Sequence, residues 1–326
     1  MFFAVCLGAK PSQFTMSTVT AEAVAPVQVR QHNAITNARY EMSACEMDIV
    51  FALLSKLNSQ DKPGTMYLVR VRDLELLTGR QWNYKQLLES TEQLSSRIYH
   101  IEDKAKVLQV GLLASAEYLK GKGVIELEIS EKMRPYLIDL KSNFTSYHLQ
   151  AALSLTSKFA KRIYQIASQW KDVGHTKTYA LDEFKYMLNL KDPKGKEPEQ
   201  YVSVADLRRS VLEVAVTQIN EHTDLRISYE LLKSSRAYDR VKFYIDVQEP
   251  KQLLIPFDLP ADDAKAQMAR KHLEAMGIVE PKLVQQILQS PKHTDALFAF
   301  IYKLKTDKIK ADKNPGGLFL KIQGLR

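Results

Sequence analysis

Apolar residues return at helical spacing in two well-separated parts of this chain. Met47, Val50, Phe51, Leu54 and Leu57 share one face, and so do Phe159, Ile163, Ile166 and Trp170. A second, shorter helix follows each, over Val71-Arg72-Asp73-Leu74-Glu75-Leu76-Leu77 and over Ala180 to Leu188. Asp73 and Asp182 suit a cap or first turn, where a carboxylate meets free N–H groups and the positive end of the helix dipole. A third stripe comes next in each half: Tyr84, Leu87, Leu88, Thr91, Leu94 and Ile98, then Val204, Leu207, Val211, Val214, Ala215 and Ile219. The pattern then changes to a period of two. Leu225, Ile227, Tyr229 and Leu231 alternate with polar residues, as do Val241, Phe243, Ile245 and Val247, around a turn at Lys233 to Arg240. In the first half, Leu108, Val110 and Leu112 are expected to pair with Ile125, Leu127 and Ile129 around Lys120-Gly121-Lys122-Gly123. Three helices and a two-stranded hairpin make a winged helix-turn-helix, whose third helix fits a major groove and whose hairpin tip, the wing, reaches the flanking backbone.

The expected fold is therefore α+β and mostly helical: two tandem winged-helix domains with a C-terminal helical extension. Residues 1–36 read as a disordered leader, with Met1 or Met16 as the start. Residues 37–145 and 146–250 are the two domains, and 251–326 the extension with its basic tail. Phe2 to Ala9 is apolar, but no basic residue precedes it, which makes a poor secretory signal. In the extension, Gly277 suits a C-cap and Pro281 and Pro291 suit first turns. Leu297, Phe298, Phe300, Ile301 and Leu304 form an apolar face that must be covered. Asn314-Pro315-Gly316-Gly317 reads as a turn. A cap on the second domain and a partner- or DNA-contacting tail are the two readings of this region.

Composition narrows the classes. The 326 residues carry 46 Lys+Arg against 38 Asp+Glu, a net charge of +8. Residues 131–200 hold twelve basic and eight acidic side chains, and 301–326 hold seven and two. That excess permits a polyanionic partner without proving one. Two cysteines, Cys6 and Cys45, cannot build a disulfide framework, which makes a reducing compartment the default. No apolar run is long enough for a membrane span. There is no G-x-x-x-x-G-K-[ST], no G-x-S-x-G, and no H-x-H or H-E-x-x-H. Tyr164 and Tyr229 sit in apolar stripes and read as core residues, not nucleophiles. No catalytic site, metal or cofactor is expected.

Helical-wheel geometry selects the side chains that would meet DNA. In the second half it turns Arg209, Ser210 and Thr217 outward, along with Asp206, Glu213 and Asn220, while Arg208 lies nearer the apolar face. An arginine fork fits G O6/N7 or a phosphate. In the first half it exposes Lys85, Gln86, Ser90, Gln93 and Arg97, the glutamines suiting adenine edges and the cations phosphates. Ser203 at the start of the third helix, and Lys120, Lys122, Lys233, Arg236, Arg240 and Lys242 in the wings, complete the candidates.

Several strings carry a family resemblance. They are Asn37-Ala38-Arg39-Tyr40-Glu41-Met42-Ser43, the run from Ser154 to Gln165, Leu181-Asp182-Glu183-Phe184-Lys185, and Asp206 to Glu213 followed by Ile219-Asn220 and Thr223-Asp224-Leu225. With Tyr229-Glu230 and Lys242-Phe243, they resemble plasmid replication initiators of the RepB/RepE type over residues 33–247, in order and spacing. Ser234-Ser235-Arg236-Ala237 stands where that family often has a Gly-Arg-Lys turn, and the first domain's third helix matches less well. The resemblance implies a cytoplasmic, plasmid-encoded bacterial protein that binds origin repeats (iterons) in double-stranded DNA, helps melt the neighbouring duplex, and recruits the host initiator and replicative helicase. It also implies a monomer–dimer equilibrium, with dimers made mainly through the first domain repressing the initiator's own gene. A repressor of the same architecture and a rolling-circle nickase are the rival readings.

Overall fold

The computed structural model describes residues 27–102, 107–119, 122–140, 142–192, 194–249, 261–306, 308–311 and 314–325. The first domain runs β1 (Gln28–His32), α1 (Asn33–Asn37), α2 (Ala44–Leu54), β2 (Met66–Arg70), α3 (Val71–Thr78), α4 (Tyr84–Ser96), β3 (Ile98–Glu102), β4 (Val107–Gly111), β5 (Leu113–Leu119), β6 (Val124–Ile129), α5 (Arg134–Leu137) and β7 (Phe144–His148). The second runs α6 (Leu149–Ser154), α7 (Lys158–Trp170), β8 (Tyr179–Ala180), α8 (Leu181–Met187), α9 (Val204–Leu207), a π-helical stretch Arg208–Leu212, α10 (Glu213–His222), β9 (Leu225–Lys233) and β10 (Tyr238–Val247). The extension is α11 (Ala261–Ala275), α12 (Pro281–Gln289), α13 (Pro291–Lys305) and α14 (Pro315–Ile322).

The duplication extends to the sheets. One has the order β2-β6-β5 and the other β8-β10-β9. In both, a short strand before the second helix pairs with the second strand of the wing hairpin. Two winged-helix domains in tandem are therefore present. β8 is only two residues long, too short to leave a signal in the apolar pattern, whereas the apolar run of β2, Met66-Tyr67-Leu68-Val69, went unread.

The first wing corrects one expectation. Residues 108–112 do not pair with 125–129. β4 pairs with β3, while β5 supplies the partner of β6, with Leu119 opposite Val124 and Leu113 opposite Ile129. A short turn joins the strands that flank it, so the segment immediately before the turn takes the place that the stronger alternation at 108–112 claimed. Residues 27–36 are also not leader. β1 pairs with β7, joining Val29 to Tyr147, and Val29 is fully buried. The rest of that leader, residues 1–26, lies outside the described residues. The expected division at 145/146 falls inside β7, whose pairing with β1 ties it to the first domain as far as His148.

One continuous core underlies both domains, from Val29 through Leu153 and Phe184 to Ile245. Polar side chains of α7 cross the junction inside it. Lys161 Nζ donates to Asp48 Oδ1 at 2.6 Å and to the Ala152 carbonyl at 2.7 Å. Arg162 donates to the carbonyls of Thr36, Ala38 and Met187 and to Tyr40. Lys161 and Arg162 of the Ser154–Gln165 string thus serve the junction and are buried from DNA.

The extension has a separate core built on Leu273, Ile287, Leu297, Phe298, Phe300 and Phe319. Among the described residues, the buried partner of this core outside the extension is Leu76 of α3, so the core packs on the first domain where a cap on the second was expected, and the end of α13 borders the second domain at Leu304. Gly79, left-handed at φ 66°, ends α3 beside α13. Gly277 is left-handed beyond α11, and Pro281 and Pro291 open α12 and α13. Asn314-Pro315-Gly316-Gly317 is the capped start of α14, with Asn314 accepting from Gly317 N at 2.7 Å. Among the described residues, no helix is long and apolar enough to cross a membrane.

Candidate nucleic-acid interface

The third helix of the second domain begins at Ser203, whose hydroxyl accepts from Ala205 N at 3.2 Å. Ser203 is exposed, but that bond fixes its oxygen on the backbone. Leu207, Val211, Leu212, Ala215 and Ile219 face the core. Leu212 lies outside the sequence stripe. The π-helical stretch takes more residues per turn than an α-helix, so the side chains after it rotate relative to an ideal wheel.

The opposite face carries two arginines, each held by a nearby carboxylate of the same helical run. Arg209 donates to Asp206 at 2.6 Å, and its side chain is 74% exposed. Arg208 donates through Nε to Glu213 at 2.8 Å and is 61% exposed, so it stands farther out than the wheel places it. Exposed pairs of this kind contribute only about 0–1 kcal/mol, so a phosphate or guanine edge can replace the carboxylate. Thr217 is exposed and Ser210 half-buried on the same helix. Asn220 is no reader: both ends of its amide bind Ile227 backbone, at 2.6 and 3.0 Å, and tie the helix to the wing.

The second wing is tied across its tip by Ser234, whose backbone N–H donates to Asp239 at 3.0 Å. Lys233 lies 4.4 Å over the Tyr238 ring and Lys242 5.1 Å over Tyr244. Arg236 is exposed, and Arg240 is half-buried with Nη2 donating to the Lys233 carbonyl. Lys233 and Arg236 are thus the cations placed outermost on this wing.

The first domain's third helix departs further from expectation. Asn83 caps α4 by accepting from Gln86 N at 2.7 Å. Leu87, Ser90, Thr91 and Leu94 are buried, while Tyr84 (54%) and Leu88 (43%) are exposed. Ser90 is thereby removed from the candidate readers. The buried stripe follows 87, 90/91 and 94, and the Tyr84 ring packs edge-on to Tyr118 across the outer side. Gln86 is exposed along part of its length, yet its amide points at Cys45 Sγ, 3.6 Å away. Arg97 lies between Glu41 and Glu46 at 3.7 and 3.8 Å and donates to Gln93 Oε1 at 2.9 Å, so these two side chains are engaged with each other and with the domain. Lys85 is exposed and pairs with Glu89 at 3.8 Å. Lys122 is exposed at the wing tip, and Lys120 lies outside the described residues. The sequence reading missed Arg70, Arg72 and Arg80, which border α3 beside Lys122. Their signal was three arginines within eleven positions at the end of β2 and around α3, not on the third helix.

Tyr164 is fully buried, and burial with the nearby Asp224 carboxylate pushes its hydroxyl far above the usual phenol range. Among the described residues, no group of three or more His, Cys, Asp or Glu side chains is placed to hold a metal ion.

Residues 28–168 match the family model described as Initiator Replication protein, WH1, and residues 180–245 match Initiator Rep protein, WH2. The chain is 28% identical over 211 residues to a probable replication protein of Bifidobacterium longum (strain NCC 2705), covering 63% of this chain and 68% of that protein. It is 22% identical over 254 residues to the PI protein of Escherichia coli, covering 68% and 83%. Its fold is similar to the crystal structure of Pi initiator protein in complex with iteron DNA, with TM-score 0.60 and 19% identity, over 69% of this chain and 98% of the other.

Proposed function

The chain belongs to the initiator replication protein family, and from that membership we propose that it binds repeated sequences at a plasmid origin in the bacterial cytoplasm, helps open the adjacent duplex and brings the host initiator and helicase to it. The observation that carries this reading is the outward pair Arg208 and Arg209 on a third helix flanked by a cationic wing. That helix supplies base contacts in a major groove, and Lys233 and Arg236 hold the flanking phosphates. The similar fold solved with iteron DNA supports repeats as the target. The chain works by binding energy and leaves chemistry to recruited enzymes.

As a dimer it represses its own gene. Exposed apolar side chains on the strands of the first domain, Met66, Leu68, Ile98 and Val107, support self-association there. Footprinting on the DNA flanking the gene tests the target, and protection should recur at regularly spaced direct repeats. Permanganate reactivity beside those repeats, in the presence of host factors, tests opening. Protection without added reactivity would leave a repressor, and a cleaved strand with divalent metal would replace both readings with a nickase.

A further inference from the structure

The extension lies beyond both family-model matches, which end at residue 245. It nevertheless meets the DNA-facing elements of both domains. Between the first wing, α3 and the extension lies an open cleft of about 550 Å3. Arg70, Arg72, Arg80 and Lys122 line it from the first domain, and Lys265 of α11 from the extension. Among the described residues, the carboxylates that join them are Glu75 and Asp295. Glu75 accepts from Trp82 N at 3.0 Å, and Asp295 is paired with Lys265. Among the described lining residues, cationic side chains outnumber carboxylates.

From this cleft α13 runs toward the second domain. At its end, Leu304 shares a second cleft of about 430 Å3 with Arg209, Thr217 and Gln218. Lys303 and Lys308 are exposed on either side of Leu304. One helix thus lies beside the wing and second helix of one domain and the third helix of the other.

We propose that the extension is a third DNA-binding unit, and that the cleft between wing 1, α3 and α11 seats phosphates of the duplex backbone. Wing tips meet backbone in winged-helix docking, and Lys122 on the tip places the cleft on that path. Arg70 and Lys122 line one wall and Lys265 the other. The ammonium of Lys265 has three donors, and Asp295 leaves others for a phosphate oxygen. This inference rests on the DNA-binding reading and adds contacts that hold any sequence alike.

The test is the salt dependence of binding by the full chain, on a random-sequence duplex and on duplexes selected by the protein. For every phosphate that a variant no longer neutralises, the slope of log K against log salt should fall by about 0.9. Lys265→Ala should lower it by about that amount, and Arg70→Ala/Lys122→Ala/Lys265→Ala by roughly 2 to 3, equally on both duplexes. An unchanged slope in Lys265→Ala beside a lowered one in Arg70→Ala/Lys122→Ala would remove the extension from the interface. Tighter binding on deletion of 261–326 would make it a shield, contrary to the proposal. Saturable binding of ATP that the triple variant loses would reassign the cleft to a free nucleotide. A wild-type chain that binds neither duplex would overturn the DNA reading itself.

Discussion

Arg208 and Arg209 are adjacent, yet their partners set them different tasks. Arg209 pairs with the exposed Asp206, three residues back, and most of its side chain stands in solvent. Arg208 is held toward the wing side by Glu213 and Tyr229, and the hydrogen bond from Arg208 to Glu213 raises its already high pKa. Arg209 is thus the side chain better placed for a bidentate base contact. Arg209→Ala should weaken binding to selected duplexes by about 1–3 kcal/mol and binding to random duplex far less. Equal losses on both, measured by titration at one salt concentration, would make it a phosphate contact. Gln86 has the opposite fate. With its amide directed at Cys45, Gln86→Ala should leave the preferred sequence unchanged in selection from a randomised pool, and a relaxed position would restore it as a reader.

At the scale of elements, the apolar pattern carried the helices well where a single face was buried. α7 and α10 follow it because side chains such as Phe159, Ile163, Ala215 and Ile219 enter one core. It misjudged α4 by about one position, since the small Ser90 fits inward while Tyr84 and Leu88 remain at the surface. Strands were less legible. Pairing depends on which segment flanks a turn, and alternation alone does not encode that. On the second domain the outward turn of Arg209 and Thr217 was legible, as was the exposure of Lys233, Arg236 and Lys122. The arginines around α3 were passed over because they lie off the third helix and the wing, and the extension that walls their cleft has a packing partner no local pattern reveals. Glycine has a readable physical reason in that extension. A Cβ on Gly316 would stand 2.3 Å from the Met276 carbonyl and 3.0 Å from Ile278 Cγ1. Gly316→Ala gains helix propensity of about 1 kcal/mol, but backbone oxygen cannot yield as a side-chain tip does. The variant should loosen 261–325, seen as faster amide exchange there, with exchange in α7 and β10 unchanged. Protection equal to wild type would show that α11 and α14 have room to separate.

For the whole molecule, the question is what sets one domain against the other, because two third helices can follow one duplex only if their spacing is fixed. The junction buries Lys161 against Asp48, their side chains 0% and 5% exposed. Removing one partner of such a pair strands a charge and costs about 3–5 kcal/mol, whereas replacing both with apolar groups is often neutral. Lys161→Met should therefore be strongly destabilising, and Asp48→Leu/Lys161→Met should recover most of the loss in urea unfolding. The pair also links the junction to pH. Burial raises the Asp48 carboxyl from 3.8 to about 6, against the lowering pull of Lys161. A carboxyl whose pKa is higher in the folded chain binds more proton there than in the unfolded chain between those two values. Its contribution must then fall as pH rises from about 4 to 6. Asp48→Asn lacks that titration, so the stability difference between wild type and variant should shift against wild type across this interval. Urea midpoints at about pH 4, 5 and 6 read the sign directly. Curves that stay parallel, or a wild type that gains on the variant as pH rises, would mean that Lys161 holds Asp48 ionised throughout and that the junction is indifferent to mild acid.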